Sequence, residues 1–277
     1  MDYGLLTLLP VFVVIVLAII TRSSFEPLII GILTGCVIAY QGDFLNKFIE
    51  HLTSALTNKD SGWVILVCML YGSLITMMIR SGGTISFSDF LLRFVNNRRS
   101  ALLATWILGL LIFVDDYLHS LAVGASMKKV TDRFRISREL LAYTLHATSA
   151  PLCILLPIST WSIFISRILE QNGLAPEGKG LLSYMKAIPF MAYGYVGITL
   201  VLLVAMGIVP ILGKMKRAES RAAGGVCIPP DPQGITVPEE KPVTEKNKIS
   251  YFVLPMVVLI GTTVYFDFDA LKGALIT

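Results

Sequence analysis

Charge is what this chain has least of. Only 15% of its 277 residues are Asp, Glu, Lys or Arg, against about 25% in ordinary soluble proteins. A soluble domain of this length needs more charge to cover its surface, so a water-soluble fold is excluded. Apolar residues make up 55%, which excludes disorder over most of the length. The four cysteines follow no framework spacing: Cys36, Cys68 and Cys153 lie in apolar runs and Cys227 in a polar stretch. They read as packing thiols, not as a disulfide scaffold. There is no Walker A sequence, no GxGxxG, no HExxH and no GxGD, so no soluble cofactor and no enzymatic activity are expected. A formal net charge of +4 is too small to point to nucleic acid.

What the chain does have is long uncharged runs, at 3–21, 27–42, 61–79, 140–166, 187–213 and 249–266. A bilayer core takes about 17–25 residues of apolar helix, so the composition predicts an all-α polytopic membrane protein. The first run has no basic region ahead of it and is read as a membrane helix, not a signal peptide. A seventh segment differs. Residues 100–114 are uncharged, Asp115 and Asp116 follow, and 117–127 are again uncharged. Together they make either one crossing with two acids at mid-depth or two half-helices meeting at an acidic tip. Basic loop residues decide between these. A re-entrant hairpin over 100–127 gathers Arg93, Arg98, Arg99, Lys128, Lys129, Arg133, Arg135, Arg138 and the lysines and arginines of 214–248 on one side. A full crossing scatters them over both. The expectation is therefore about six transmembrane helices plus one re-entrant hairpin and one discontinuous helix. The N-terminus is then outside and the hairpin mouth in the cytoplasm.

Two unpartnered aspartates at mid-membrane would cost about 5–7 kcal/mol on insertion scales. Adjacent carboxylates also repel, so the pair takes up either a proton or a cation. Carboxylates, hydroxyls and carbonyls are hard oxygen ligands, suited to an alkali cation. Asp115 and Asp116 are the candidate sodium ligands. Ser120 adds an oxygen nearby, and His119 a group that titrates near neutral pH. The alternative is an ordinary surface loop, against which stand the apolar flanks LGLLIFV and YLHSLAVGAS.

The run 140–166 is the discontinuous helix. Pro151 and Pro157 each remove a backbone donor, and His146, Thr148, Ser149, Ser159 and Thr160 lie around them. Broken helices of this kind build ion and substrate sites in secondary transporters. A proline-kinked helix with hydroxyls bonded back to the i−4 carbonyl is the plainer alternative. The GxxxG at 31–35 and the glycines 194, 197 and 207 read as helix-packing positions. Phe44, Phe48 and Leu52 suit one face of an interfacial helix. Trp161 has no evident place.

Residues 113–124, FVDDYLHSLAVG, resemble the FxDDYxNxLxVG signature of the NhaC family of sodium/proton antiporters. The likeness continues through Met127, 131–133 (TDR), 136–138 (ISR) and 141–143 (LAY), then 147–151 (ATSAP) and 157–161 (PISTW), with 81–83 (SGG) upstream. The resemblance implies a secondary transporter of inverted repeats, each with a re-entrant hairpin and a broken helix. It implies Asp115 and Asp116 as the cation and proton carboxylates, with Ser120, Thr148, Ser149, Ser159 and Thr160 as oxygen ligands. His119 stands where the family has Asn, and His146 where it has an acid. A histidine carries a proton but cannot bind sodium while protonated.

The expected organisation is N-terminal membrane helices (1–99), a transport-site region (100–170), a transmembrane helix (171–213), a flexible cytoplasmic linker (214–248) and the start of a second repeat (249–277). On this reading the chain is truncated after the first repeat. The expected function is exchange of sodium, or another monovalent cation, for protons across the bacterial inner membrane. Sodium- or proton-coupled exchange of organic acids, and a non-transporting fragment or half of a split transporter, are the alternatives. The expected partners are the lipid bilayer, the cation and proton, and either a second copy or a missing C-terminal half. No cofactor is expected beyond the transported ions.

Overall fold

The computed structural model describes residues 4–21, 23–229, 248–266 and 269–277. Among these, every regular element is a helix, and the protein is an all-α polytopic membrane protein. The chain divides into two units, Met1–Ile65 and Leu66–Thr277.

In the first unit, α1 (Leu9–Thr21) packs on α2 (Phe25–Tyr40), and α2 on α3 (Phe44–Thr57). The α1–α2 contact uses the 31–35 glycines. A Cβ on Gly31 would stand 2.1 Å from a methyl of Val14, so no larger residue fits where the helices cross. A 3-10 turn, Gln41–Asp43, joins α2 to α3. Phe44 and Phe48 are half-buried, while Leu45, Ile49, Leu52 and Leu56 form an exposed apolar stripe. The helix α4 (Lys59–Arg80) follows.

The second unit holds the rest of α4, α5 (Gly83–Leu91), α6 (Arg98–Leu111), α7 (Asp116–Arg133) and α8 (Arg138–Leu155). Then come α9 (Thr160–Gln171), α10 (Gly180–Ala187), α11 (Ala192–Met206), α12 (Gly213–Ala223), α13 (Ser250–Tyr265) and α14 (Ala270–Ile276). The helices α6, α7 and α8 pack on one another, α11 lies on α6 and α8, α5 lies on α7, and α13 lies on α5. Small residues set these contacts. A Cβ on Gly194 would come within 2.9 Å of Leu155, and one on Gly83 within 2.7 Å of the backbone at Tyr251.

Gly4–Thr21, Phe25–Thr57 and Ser61–Arg80 are each long and apolar enough to cross a membrane. Two bent helix pairs are together long and apolar enough: Arg138–Leu155 with Thr160–Gln171, at 48°, and Gly180–Phe190 with Ala192–Met206, at 56°. The first is the expected discontinuous helix. The second falls partly in the run 187–213, which read as one uninterrupted helix; the bend comes after the 3-10 turn Ile188–Phe190. The apolar α13, at 16 residues, is shorter than these.

The segment 214–248 was expected to be a flexible linker throughout, and its beginning is not. Residues 213–223 form α12, which packs against α8 and buries Ala218, Glu219 and Ala222. Helix formers dominate this stretch, and its burial holds it down. Residues 230–247, with most of the prolines behind that expectation, lie outside the described residues.

Candidate cation site

The helices α6 and α7 form a hairpin. Arg98, at the start of α6, and Ser137, just beyond α7, both bind the side chain of Glu219, so the two ends lie together. At 1.5 Å per residue the 14-residue α6 is about 21 Å long, too short to cross a core of about 30 Å. Near the tip the arms touch. A Cβ on Gly109 would stand 2.7 Å from the imidazole of His119, so a glycine is needed for the ring to sit against α6.

Asp115 is the N-cap of α7 and is 3% exposed. Its backbone is extended, and its Oδ1 accepts from the Tyr117 N–H at 2.9 Å and the Leu118 N–H at 3.1 Å. These are two of the helix's orphan donors, which is what an N-cap aspartate satisfies. Its Oδ2 accepts from the Thr160 hydroxyl at 2.8 Å. Asp116 is half-buried in the first turn of α7, and its Oδ1 accepts from the Trp161 indole N–H at 2.7 Å.

Both donors come from the break in the neighbouring span. The α8 helix ends at Leu155 and α9 begins at Thr160. Pro157 lies in the gap. Pro151 is inside α8 and does not end it. Ser159 caps α9, accepting from the Ser162 N–H at 3.1 Å. The carbonyls freed at the end of α8 are taken by hydroxyls: Ser159 donates to Cys153 O at 2.5 Å and Ser162 to Leu156 O at 2.5 Å. The Thr160 N–H donates to Val114 O at 3.0 Å, tying the break to the hairpin tip by backbone. The N-termini of α7 and α9 thus meet at two carboxylates, where their partial positive charge favours an anion.

From the tip, polar groups run along α7. Ser120 is one turn after Asp116 on the same face, and its Oγ lies 3.5 Å from that of Ser149. His119 is fully buried, with Nε2 3.3 Å from the Thr148 hydroxyl, which itself donates to Thr144 O at 2.7 Å. Asp115, Asp116, His119, Ser120, Thr148, Ser149, Ser159 and Thr160 therefore occupy one connected region. His146 does not: it is exposed, away from the buried face of α8.

Three residues join the site that composition and spacing did not select. Trp161 is the donor to Asp116. Cys68 and Tyr71 of α4 lie close enough to the acids to interact electrostatically, and the Tyr71 hydroxyl is buried without a hydrogen-bond partner among the described residues. The uncharged run 61–79 carried no signal that could have found Cys68 and Tyr71. Trp161 had one, its place directly after the break.

A family model described as "Na+/H+ antiporter family" matches residues 3–208. An "Uncharacterized protein" of Haemophilus influenzae is 33% identical over 171 residues, 59% of this chain and 33% of the relative. The chain thus spans about a third of the length of that curated relative. No solved structure matches it.

Proposed function

Because the chain belongs to the Na+/H+ antiporter family, we propose that it exchanges sodium for protons across the bacterial inner membrane, the two ions competing at Asp115 and Asp116. It is an integral membrane protein. The observation that carries the reading is the placement of two adjacent carboxylates at the meeting point of two helix N-termini, one of them held by the hydroxyl of Thr160.

The two acids divide the work. All the hydrogen bonds of Asp115 go to fixed donors, three in number, so it organises the tip. Asp116 is more exposed and accepts from Trp161 through one oxygen. Its other oxygen is the one to take either a proton or a sodium ion, with the Ser120 and Ser149 hydroxyls next along the face. Exchange follows because either ion neutralises the same group, and the bare carboxylate is costly to carry through the membrane interior.

The finer reading places the chain in the NhaC branch, as the first repeat of a two-repeat transporter. Its second half would come from a further segment or another chain, and its N-terminus would lie outside. Organic-acid exchange is less favoured, because the N-terminus of α7 already holds Asp115 and that of α9 already holds Ser159.

Trp161 makes the site observable. Sodium added to the purified chain should change its tryptophan fluorescence, with the effect weakening as pH falls. Asp116→Asn and Trp161→Phe should each abolish the change. In everted vesicles Asp116→Asn should stop sodium-driven proton movement. A full sodium response in Asp116→Asn would defeat the assignment.

A further inference from the structure

A cavity of about 240 Å³ lies between the start of α6 and the end of α11, lined by Arg98, Arg99, Leu102, Val204, Val209 and Ile211 among others. It is remote in sequence from the acidic tip, at the opposite end of α6. We propose that it binds the phosphodiester headgroup of an anionic phospholipid.

Charge gives the first reason. Arg98 pairs with Glu219, but Arg99 forms no ion pair among the described residues. Its guanidinium lies against Gly207, where a Cβ would stand 3.3 Å from Nε. Gly207 has φ +75° and closes α11, a left-handed position that favours glycine. The bare backbone there leaves the guanidinium room at the cavity. Just beyond Ile211, the exposed Lys214, Lys216 and Arg217 on α12 are likewise outside any described ion pair. The carbonyl end of α11 would repel an anion, and two of its last four carbonyls are occupied. Leu203 O accepts from the Ile208 and Val209 N–H groups, and Val204 O from that of Gly207. The Arg98 and Arg99 side chains supply the positive charge of the lining.

The walls give the second reason. Leu102, Val204, Val209 and Ile211 are apolar, and Ile208 and Leu212 at the adjoining chain surface are 64% and 70% exposed. A free phosphate gains nothing from such walls, whereas the glycerol and upper chains of a lipid do. Basic pockets between membrane helices near the headgroup layer suit anionic lipids on physical grounds. The proposal does not depend on sodium exchange.

The test is a native mass spectrometry titration of the full purified chain, in neutral detergent, with dioleoylphosphatidylglycerol. Dioleoylphosphatidylcholine serves as the control and inorganic phosphate as competitor. Phosphatidylglycerol should bind preferentially. Arg99→Gln should weaken it by about fivefold or more. Val209→Trp, which fills the cavity and keeps both arginines, should weaken it comparably, while Lys272→Gln leaves it unchanged. Equal binding of phosphatidylcholine, or undiminished binding by either cavity variant, overturns the proposal. Displacement of the lipid by millimolar phosphate also overturns it and makes the cavity a free-anion site.

Discussion

Glu219 is a carboxylate on which the two ends of the hairpin meet, and truncating it tests how α12 is held. In the intact protein its Oε1 accepts from the Ser137 N–H at 2.9 Å and the Ser137 hydroxyl at 2.5 Å, while its Oε2 pairs with Arg98. Glu219 is 7% exposed and Ser137 is fully buried. Hydrogen bonds to a charged group contribute about 1.5–3 kcal/mol, and a buried donor left unpaired costs about 1–3 kcal/mol. The Ser137 hydroxyl still accepts from the Leu140 N–H, but its own proton and the Ser137 N–H both lose their acceptor. The Arg98 side chain is 38% exposed, and water takes up its freed guanidinium, so that arm adds little. Glu219→Ala should therefore cost about 2–4 kcal/mol. Glu219→Gln, which keeps an acceptor for Ser137 but loses the charge, should cost about 1 kcal/mol. At about 2–4 °C per kcal/mol for a chain of this class, thermal unfolding in detergent resolves the two. A local readout accompanies it. Burial, aided by Asp132, pushes the Cys227 thiol up from its usual range, which slows maleimide labelling at neutral pH. With Cys36, Cys68 and Cys153 replaced, labelling of Cys227 should quicken in Glu219→Ala as the end of α12 comes loose. A melting point within about 1 °C of wild type, with labelling unchanged, would refute the reasoning.

Gly109→Leu should displace the His119 ring from α6 and destabilise the hairpin by about 1–3 kcal/mol, as overpacking does, measured by the same unfolding assay. Thr160→Val, which keeps the shape and removes the donor to Asp115, should cost about 1–2 kcal/mol. Combined with Asp115→Asn it should show a coupling of at least about 0.5 kcal/mol in a double-mutant cycle; strict additivity would mean that the bond carries no energy. Gly31→Leu should separate α1 from α2 and lower the melting point, with no effect on the sodium response of Trp161.

The hairpin was legible because a pair of charges inside a long apolar stretch has few physical explanations, and the arrangement of basic residues selected one. The helix break was legible for a related reason, since Pro157 cannot continue a backbone ladder. Pro151 carries the same chemistry but is absorbed within α8, where Gly197 packs against its ring; sequence alone does not distinguish the two outcomes. Composition misled at α12. Averaged over 214–248, prolines and mixed charge read as linker, and the average hid a short helix whose Met215, Ala218, Glu219 and Ala222 recur at helical spacing. Tyr71 and Cys68 were invisible because their place beside the acids depends on how α4 packs in three dimensions, and no local pattern encodes that.

Adjacent acids in one motif invite treatment as equivalent ligands, and the geometry argues against it. An N-cap carboxylate is held by backbone N–H groups whose positions are set by the helix itself. Moving Asp115 onto a cation would expose the first donors of α7 in a region with little water to replace it. Asp116, one residue on, is inside the helix and points elsewhere; its side chain can change partners without unwinding anything. On the proposed exchange, one fixed group and one free group are what repeated binding and release of an ion require, and consecutive positions at a helix start offer both. Asp115→Asn should therefore damage stability more than sodium binding, and Asp116→Asn sodium binding more than stability. The Asn at 115 still offers an oxygen to the N–H donors but loses the charge that the two helix ends favour, a cost of about 1–2 kcal/mol. Melting curves and the Trp161 sodium response, measured on both variants, separate the roles. Matching losses of both properties in the two variants would show that the acids act as one ligand set.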